Sequence, residues 1–203
     1  MKLLFAHGWG FDRHVWAPLS ALLADVPQAI DDRGYFGAPH VPAIEGPSLA
    51  VTHSYGAMRV LADPPPGLTG VVAINGFDRF TAIPGRPGVP MRVVDYMLTR
   101  FELDPRGVLT SFRASVGCEE AFGEIDAEAL HLDLKRLRDG QPAPASVPVL
   151  VIHGDQDPLL PEPMRRASFA GSTVRRINHK TGGHVLPLEA PELCALAIRG
   201  MLA

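Results

Sequence analysis

The sequence lacks the features that mark several classes of protein. Its two cysteines, Cys118 and Cys194, have no metal-ligand spacing and are interpreted as ordinary buried thiols. Only 3 of the basic residues are lysine, against 16 arginines, and the formal net charge is −3, which argues against nucleic acid as the main partner. No apolar run reaches the length of a membrane span. The expectation is a protein without a membrane or nucleic-acid role.

What the sequence does contain is typical of one globular domain. Its 203 residues are 46% hydrophobic and 20% charged, which argues against disorder. The apolar stretch at residues 1–6 is too short for a signal peptide and continues directly into His7-Gly8. A cytoplasmic location is therefore expected, and no cofactor or metal site is predicted.

Short apolar runs alternate with segments of helical spacing along most of the chain, and the 20 glycines and 20 prolines separate them. The runs lie at 3–6, 26–30, 49–52, 68–74, 149–152 and 173–177. This alternation predicts a mostly parallel sheet of about six strands with helices on both faces. Residues 78–146 show helical patterns only. The predicted organisation is a core of residues 1–77 and 147–203, interrupted by a small helical cap at 78–146.

The stretch Thr52-His53-Ser54-Tyr55-Gly56 has the pattern of a nucleophile elbow. In such an elbow a serine lies in a sharp turn between a strand and a helix, so that its hydroxyl is exposed above the sheet. The usual motif is G-x-S-x-G, and Thr52 replaces the first glycine. A branched side chain there requires a small residue opposite, for which Gly70 and Ala73 are the candidates. On its own the motif also fits an ordinary serine in a turn.

A serine nucleophile needs a histidine base and a carboxylate that orients the histidine. Asp157 follows the run at 149–152, and His184 follows the run at 173–177. The chain order serine, aspartate, histidine is the order expected for α/β-hydrolases. Asp155 is the alternative acid, and His179 is the alternative base. The predicted catalytic residues are Ser54, Asp157 and His184.

With these residues the chain resembles the α/β-hydrolase superfamily over essentially its whole length. The matching segments are His7-Gly8-Trp9-Gly10, 32–37, the Ser54 elbow, 153–158 and Gly183-His184. By this resemblance the backbone N–H groups of Trp9 and Tyr55 form the oxyanion hole. The resemblance also implies that serine at the elbow disfavours the dehalogenase and epoxide-hydrolase branches, since those use aspartate there.

Within the superfamily, the sequence resembles esterases that demethylate pimeloyl-acyl-carrier-protein methyl ester in biotin synthesis. The similarity lies in His7-Gly8-Trp9-Gly10, in 73–76 and in a short helical cap that carries Phe112. It implies a serine carboxylesterase acting on an acyl ester through an acyl-enzyme. The expected substrate pocket contains Trp9, Phe77 and Phe112. Alternatives are a general short-chain esterase or thioesterase without a carrier protein, and a hydrolase-fold binding protein that has lost catalysis.

Resemblance to these esterases also implies an acidic carrier protein as a partner that docks on cap arginines. Six arginines and only three acidic residues occur between 79 and 113, a surplus of three positive charges that would attract such a partner. The arginines are Arg79, Arg86, Arg92, Arg100, Arg106 and Arg113. The acidic residues at 119–128 cancel this surplus, and solvated helix faces are an equal interpretation. Both a monomer and a homodimer are compatible with the sequence.

Overall fold

The computed structural model describes residues 1–202, and its centre is a parallel β-sheet of six strands. The strands lie in the order β2-β1-β3-β4-β5-β6, and every neighbouring pair is parallel. They are β1 (Lys2–Ala6), β2 (Gln28–Asp31), β3 (Ser48–His53), β4 (Leu68–Ile74), β5 (Val149–Gly154) and β6 (Val174–His179). The predicted fold class, a mostly parallel sheet of about six strands, is confirmed.

Helices surround the sheet. A 3₁₀ helix covers Arg13–Trp16. The α-helices among the described residues are α1 (Ala17–Leu22), α2 (Gly56–Ala62), α3 (Met91–Leu103), α4 (Pro105–Ser115), α5 (Ala127–Asp139), α6 (Glu162–Ala167), α7 (Leu186–Glu189) and α8 (Pro191–Leu202). Two helix starts follow from local chemistry, because Asp104 accepts from the Gly107 N–H at the start of α4 and Asp126 accepts from the Ala129 N–H at the start of α5.

Strands β3 and β5 are buried along their whole length, and each contains a continuous apolar run, at 49–51 in β3 and at 149–152 in β5. Alternate residues face opposite sides of the sheet. Leu49 and Val51 join the core that α1, α7 and α8 complete, whereas Ala50 joins the core that contains residues of α2. The helices on both faces therefore bury the sheet and fix its register.

Helices α3, α4 and α5 pack against residues that follow the carboxyl ends of the central strands. One apolar cluster contains Trp9, Tyr55 and Phe77, which come after β1, β3 and β4, together with Phe101 of α3 and Leu134 of α5. The segment thus lies over the edge of the sheet at which ligands bind in open α/β folds. The boundaries 78 and 146 of an inserted cap stay a prediction.

Several boundaries differ from the sequence patterns. Strand β6 extends beyond the apolar run at 173–177 to His179. Helix α6 ends at Ala167, and Phe169 two residues later has a positive φ of 60° that a helix cannot include. The short helix α7 carries no sequence signal long enough to be recognised. No helix among residues 1–202 combines the length and the apolar character needed to span a membrane.

Candidate active site

The site lies where the strand order reverses. Strand β1 pairs with β2 on one side and with β3 on the other, so the chain crosses from one side of β1 to the other between β2 and β3. Loops at such a switch point leave a crevice at the carboxyl ends of the strands. The glycine-rich loop 7–10 follows β1 and Ser54 follows β3, and the two therefore face each other across this crevice.

Ser54 occupies a strained turn between β3 and α2. Its φ is 52°, in the left-handed region that a residue with a side chain rarely adopts. Its N–H donates to the Ile74 carbonyl at 3.1 Å. A Cβ on Gly56 would come within 2.1 Å of the Ala6 carbonyl oxygen, so only glycine lets α2 begin this close to β1. The second glycine of the elbow motif is required by this approach.

Thr52, which replaces the first glycine of the motif, is fully buried. Its hydroxyl donates to the Val72 carbonyl at 3.1 Å, so the polar group is satisfied. Ala73 is its partner on β4, whereas Gly70 pairs with Leu49. The small residue opposite Thr52 is therefore Ala73.

The structure brings Ser54, His184 and Asp157 together. The Ser54 Oγ lies 3.1 Å from His184 Nε2, and His184 Nδ1 lies 2.8 Å from Asp157 Oδ2. The three residues come from the loops after β3, β6 and β5, and all are buried. The alternative acid Asp155 instead accepts from Asn178 at 2.8 Å, and the alternative base His179 is the last residue of β6.

Asp157 stays ionised because of the donors around it. Burial alone would raise its pKa, but His184 and the N–H groups of Leu159 and Leu160 outweigh burial and lower it. These two N–H groups donate to Oδ1 at 2.8 and 3.2 Å. An ionised Asp157 can orient His184 with Nδ1 protonated, which leaves Nε2 free to accept the Ser54 proton.

Asn75 is a site residue that the sequence interpretation did not assign. Its side-chain N–H₂ donates to Asp157 Oδ2 at 2.9 Å and to the Gly183 carbonyl at 2.6 Å, and its Oδ1 accepts from the Gly154 N–H at 3.0 Å. Its φ of 45° is one that asparagine tolerates better than most residues. The sequence signal that could have identified Asn75 is the Asn-Gly pair directly after β4. Asn75 ties together the loops that carry Asp157 and His184.

His53 occupies a variable position of the G-x-S-x-G motif, yet it is fully buried beside the candidate base. The rings of His53 and His184 are 5.1 Å apart, and burial, followed by the charge of His184, lowers the pKa of His53 to about 3. His53 is therefore neutral at ordinary pH. A pKa this low makes His53 a much weaker base than an ordinary histidine, so it is not suited to take the Ser54 proton.

Backbone donors for an oxyanion are free at the expected positions. Among residues 1–202, neither the Trp9 N–H nor the Tyr55 N–H donates to a protein acceptor. The Trp9 indole N–H donates to the Leu130 carbonyl at 2.8 Å, which fixes the tryptophan against α5. Both N–H groups are thus available to a bound group beside Ser54.

A narrow apolar cavity of about 20 Å³ adjoins Ser54. The expected pocket residues Trp9, Phe77 and Phe112 line it. The sequence interpretation did not identify the other lining residues, which are Phe80, Met97, Leu134, Leu137 and Leu159. The space is close to that of a single water molecule, so a longer acyl chain needs movement of these side chains.

A larger cavity of about 470 Å³ lies elsewhere, between α6 and the edge strand β6. It does not contain Ser54, and its arginines are already engaged. Arg166 pairs with Glu162 at 2.6 Å, and Arg176 donates to carbonyls that include that of Ser168. Chemistry rather than size therefore identifies the Ser54 cavity as the candidate active site.

Not all of the six cap arginines are available to a partner. Arg79 and Arg113 are buried, and Arg113 donates to the Gly10 carbonyl at 2.8 Å. Arg86 pairs with Asp78 at 2.5 Å. Three of the six arginines are thus held by burial or pairing within the fold, and a carrier protein as partner stays a prediction. Arg92, Arg100 and Arg106 are exposed.

Solved structures with similar folds cover nearly the whole chain. An esterase from Exiguobacterium antarcticum is 17% identical with a TM-score of 0.80, and the match covers 99% of this chain and 91% of that one. A hydrolase from Oleispira antarctica is 12% identical with a TM-score of 0.79, covering 98% and 90%. A bromoperoxidase from Bacillus anthracis is 15% identical with a TM-score of 0.71, covering 99% and 90%. The chain has the α/β-hydrolase fold, as predicted.

No protein-family model and no curated protein sequence matches the chain. The different names of the structural neighbours show that the fold does not decide the reaction.

Proposed function

We propose that the protein is a serine hydrolase that cleaves carboxylic esters through an acyl-enzyme. The observation that carries the proposal is the hydrogen-bonded series Ser54 Oγ, His184 and Asp157, with distances of 3.1 and 2.8 Å. A serine hydroxyl becomes an effective nucleophile only beside an oriented base, and this geometry supplies one. The fold of the similar solved structures, one of them described as an esterase, agrees with this proposal.

In the first half of the reaction, Ser54 Oγ attacks the ester carbonyl carbon while His184 Nε2 accepts the hydroxyl proton. The carbonyl oxygen becomes an oxyanion, which the N–H groups of Trp9 and Tyr55 bind. The bond from carbon to the alcohol oxygen then breaks. His184 returns its proton to this oxygen, so the alcohol leaves neutral and the acyl group remains on Ser54.

In the second half, water attacks the acyl carbon and gives a proton to His184 Nε2. The second tetrahedral intermediate collapses, the bond to Ser54 Oγ breaks and His184 protonates that oxygen. Asp157 stays ionised throughout and stabilises the imidazolium that forms twice. The products are a carboxylic acid and an alcohol, and the enzyme is restored.

The finer proposal for the substrate is pimeloyl-acyl-carrier-protein methyl ester. The apolar lining of the cavity suits the methylene chain of such an acyl group. The exposed Arg92, Arg100 and Arg106 offer positive charge to an acidic carrier protein. The gene should restore growth without biotin to a strain that lacks its own pimeloyl-ester esterase, and failure to do so with good activity on simple esters would reject this substrate.

A second candidate is a short-chain esterase or thioesterase without a carrier protein. The observation in its favour is the cavity of about 20 Å³, which admits a small acyl group more readily than a long one. Comparing kcat/KM for p-nitrophenyl acetate, butyrate and octanoate distinguishes the two. A steady fall with acyl length supports this second candidate.

Substitution of the nucleophile tests the reaction itself. Ser54→Ala should abolish hydrolysis of p-nitrophenyl butyrate and labelling by a fluorophosphonate probe, whereas Ser111→Ala, at an exposed serine of α4, should change neither. A wild-type protein that the probe does not label would reject the enzyme proposal in favour of a binding protein.

A further inference from the structure

One carboxylate in the helical segment collects an unusual number of donors. Asp133 of α5 is fully buried. Its Oδ2 accepts from Tyr35 at 2.6 Å and from Arg33 Nε at 2.8 Å. Its Oδ1 accepts from Arg136 at 2.8 Å, from Arg33 at 3.2 Å and from the Tyr55 hydroxyl at 3.2 Å. Four of these five hydrogen bonds join α5 to the loop after β2 and to the residue that follows Ser54, and the fifth, from Arg136, lies within α5.

The charge of Asp133 is maintained by these donors. Burial alone would raise its pKa, but the hydrogen bonds from Arg33 and Tyr35 and the charge of Arg33 outweigh burial and lower the pKa. An ionised acceptor binds a phenol hydroxyl more strongly than a neutral one does. The Tyr55 side chain is therefore held by a charged, buried partner.

Tyr55 connects this carboxylate to the candidate active site. Its backbone N–H is one of the two proposed oxyanion donors, and its side chain is 2% exposed. Leu134 and Leu137, one and four residues after Asp133 on α5, line the cavity beside Ser54. Asp133 thus contacts Tyr55, whose N–H is a proposed oxyanion donor, and belongs to α5, whose leucines line the cavity.

We propose that Asp133 is a positioning residue which, through the Tyr55 hydroxyl, aims the Tyr55 N–H at the oxyanion and holds α5 beside Ser54. The inference rests on the proposed function, because it assigns a role in the same reaction. Asp133 itself touches no reacting atom. The part of its effect that passes through Tyr55 is therefore expected in turnover rather than in substrate binding.

A matched pair of variants tests the link. Tyr55→Phe and Tyr35→Phe each remove one hydroxyl from the same carboxylate, but only Tyr55 adjoins the nucleophile. Tyr35 packs against His7, with ring centroids 5.6 Å apart, and does not line the cavity. Deletion of an oxyanion donor costs about 10²–10³ in turnover, so a misaimed donor should cost about tenfold.

The expected result is that Tyr55→Phe lowers kcat about tenfold with KM within about twofold, while Tyr35→Phe keeps kcat within about twofold of wild type. Both variants are assayed at a temperature well below the midpoint of their thermal unfolding. The rate constant of fluorophosphonate labelling should fall in parallel for Tyr55→Phe, since the phosphonyl oxygen occupies the oxyanion position. Asp133→Asn, which keeps the shape and one acceptor oxygen, should lose less activity than Asp133→Leu.

Equal effects of Tyr55→Phe and Tyr35→Phe on kcat, or a change confined to stability, would overturn the inference while the proposed function stands. A folded wild-type protein that neither hydrolyses esters nor reacts with the probe would overturn both. The two failures are therefore separated by the wild-type measurement.

Discussion

The His53 Nε2 lies 3.0 Å from the backbone carbonyl oxygen of His184. Because a carbonyl oxygen only accepts, His53 must carry its proton on Nε2, and its Nδ1, which is buried and has no partner among the described residues, is then unprotonated. The tautomer of one histidine thus follows from the backbone of another. His53 holds the main chain of the candidate base in place.

Substitution of His53 should weaken both folding and turnover. His53→Leu leaves the buried His184 carbonyl without a donor, so the free energy of unfolding should fall by about 1–3 kcal/mol. His53→Gln retains an amide N–H that can reach the carbonyl, and its loss should be smaller. Urea denaturation and kcat for an ester substrate measure the two effects. Equal losses in both variants would show that ring packing, not the hydrogen bond, is what His53 contributes.

The pH dependence of stability should be steep on the acid side of neutrality. Burial, as the largest cause, lowers the pKa of His53 to about 3 and that of His153 to about 4. A histidine with a depressed pKa binds its proton more readily when unfolded, so its stabilisation is complete above the unfolded value of about 6.5 and is lost as pH falls. Each such histidine should contribute a slope of up to about 1.4 kcal/mol per pH unit between its two pKa values.

Carboxylates change the stability of the protein at a lower pH than the histidines do. The pKa of Asp157 is lowered despite its burial, so its stabilisation is present above its unfolded value of about 3.9 and disappears only in stronger acid. Urea midpoints at pH 7, 6 and 5 therefore report the histidines. His153→Gln should flatten the dependence, and equal midpoints at pH 7 and 5 in the wild type would contradict the assignment.

The sequence predicted what depends on local pattern and on order along the chain. Apolar runs predicted the strands, since a strand buried on both faces needs a continuous apolar sequence. The starts of α4 and α5 are equally local, because the side chains of Asp104 and Asp126 each accept from an N–H three residues along the chain. The chain order of Ser54, Asp157 and His184 predicted residues that the parallel sheet brings to one edge.

What the sequence did not predict depends on contacts between distant segments. Asn75 hydrogen-bonds to Asp157, which lies 82 positions away, and nothing near Asn75 in the sequence indicates this partner. Arg113 has the local pattern of a solvated helix residue, but it is buried against Gly10. Such side chains satisfy buried polar groups across the fold, and their partners are fixed only once the helices are packed.

Asn75→Asp should impair catalysis by placing a second carboxylate against Asp157. The Asn75 side-chain nitrogen that donates to Asp157 Oδ2 would become an oxygen, and two carboxylates this close cannot both ionise easily. Aspartate tolerates the positive φ, so the backbone can stay as it is. Turnover at pH 7 should fall by about 10²-fold or more, as expected when the orienting carboxylate of such a base is disturbed.

Asn178→Asp is the matched control for that substitution. Asn178 also donates to an aspartate, Asp155 at 2.8 Å, but this pair is exposed and does not touch His184. The control should keep kcat within about twofold of wild type, because exposed charges are screened. If both variants lose activity equally, general electrostatics rather than the contact with Asp157 is responsible.

Gly8→Ala should disable the site through a single methyl group. A Cβ on Gly8 would lie 2.8 Å from the Ser54 Cβ and 3.2 Å from His53 Nδ1, and neither neighbour can move freely. Ser54 is fixed by the turn between β3 and α2, and His53 is fixed by its hydrogen bond to the His184 backbone carbonyl. Relief of the contact must therefore displace Ser54 or the loop that carries the Trp9 N–H. Since small displacements of reacting groups can cost about 10²-fold in rate, kcat/KM should fall by at least that factor.

Gly37→Ala, where an added Cβ meets no atom within 4 Å, should leave kcat/KM and the urea midpoint close to wild type. An active Gly8→Ala protein would mean that the loop after β1 can move away from Ser54 without loss of turnover, which would remove the Trp9 N–H from the proposed mechanism.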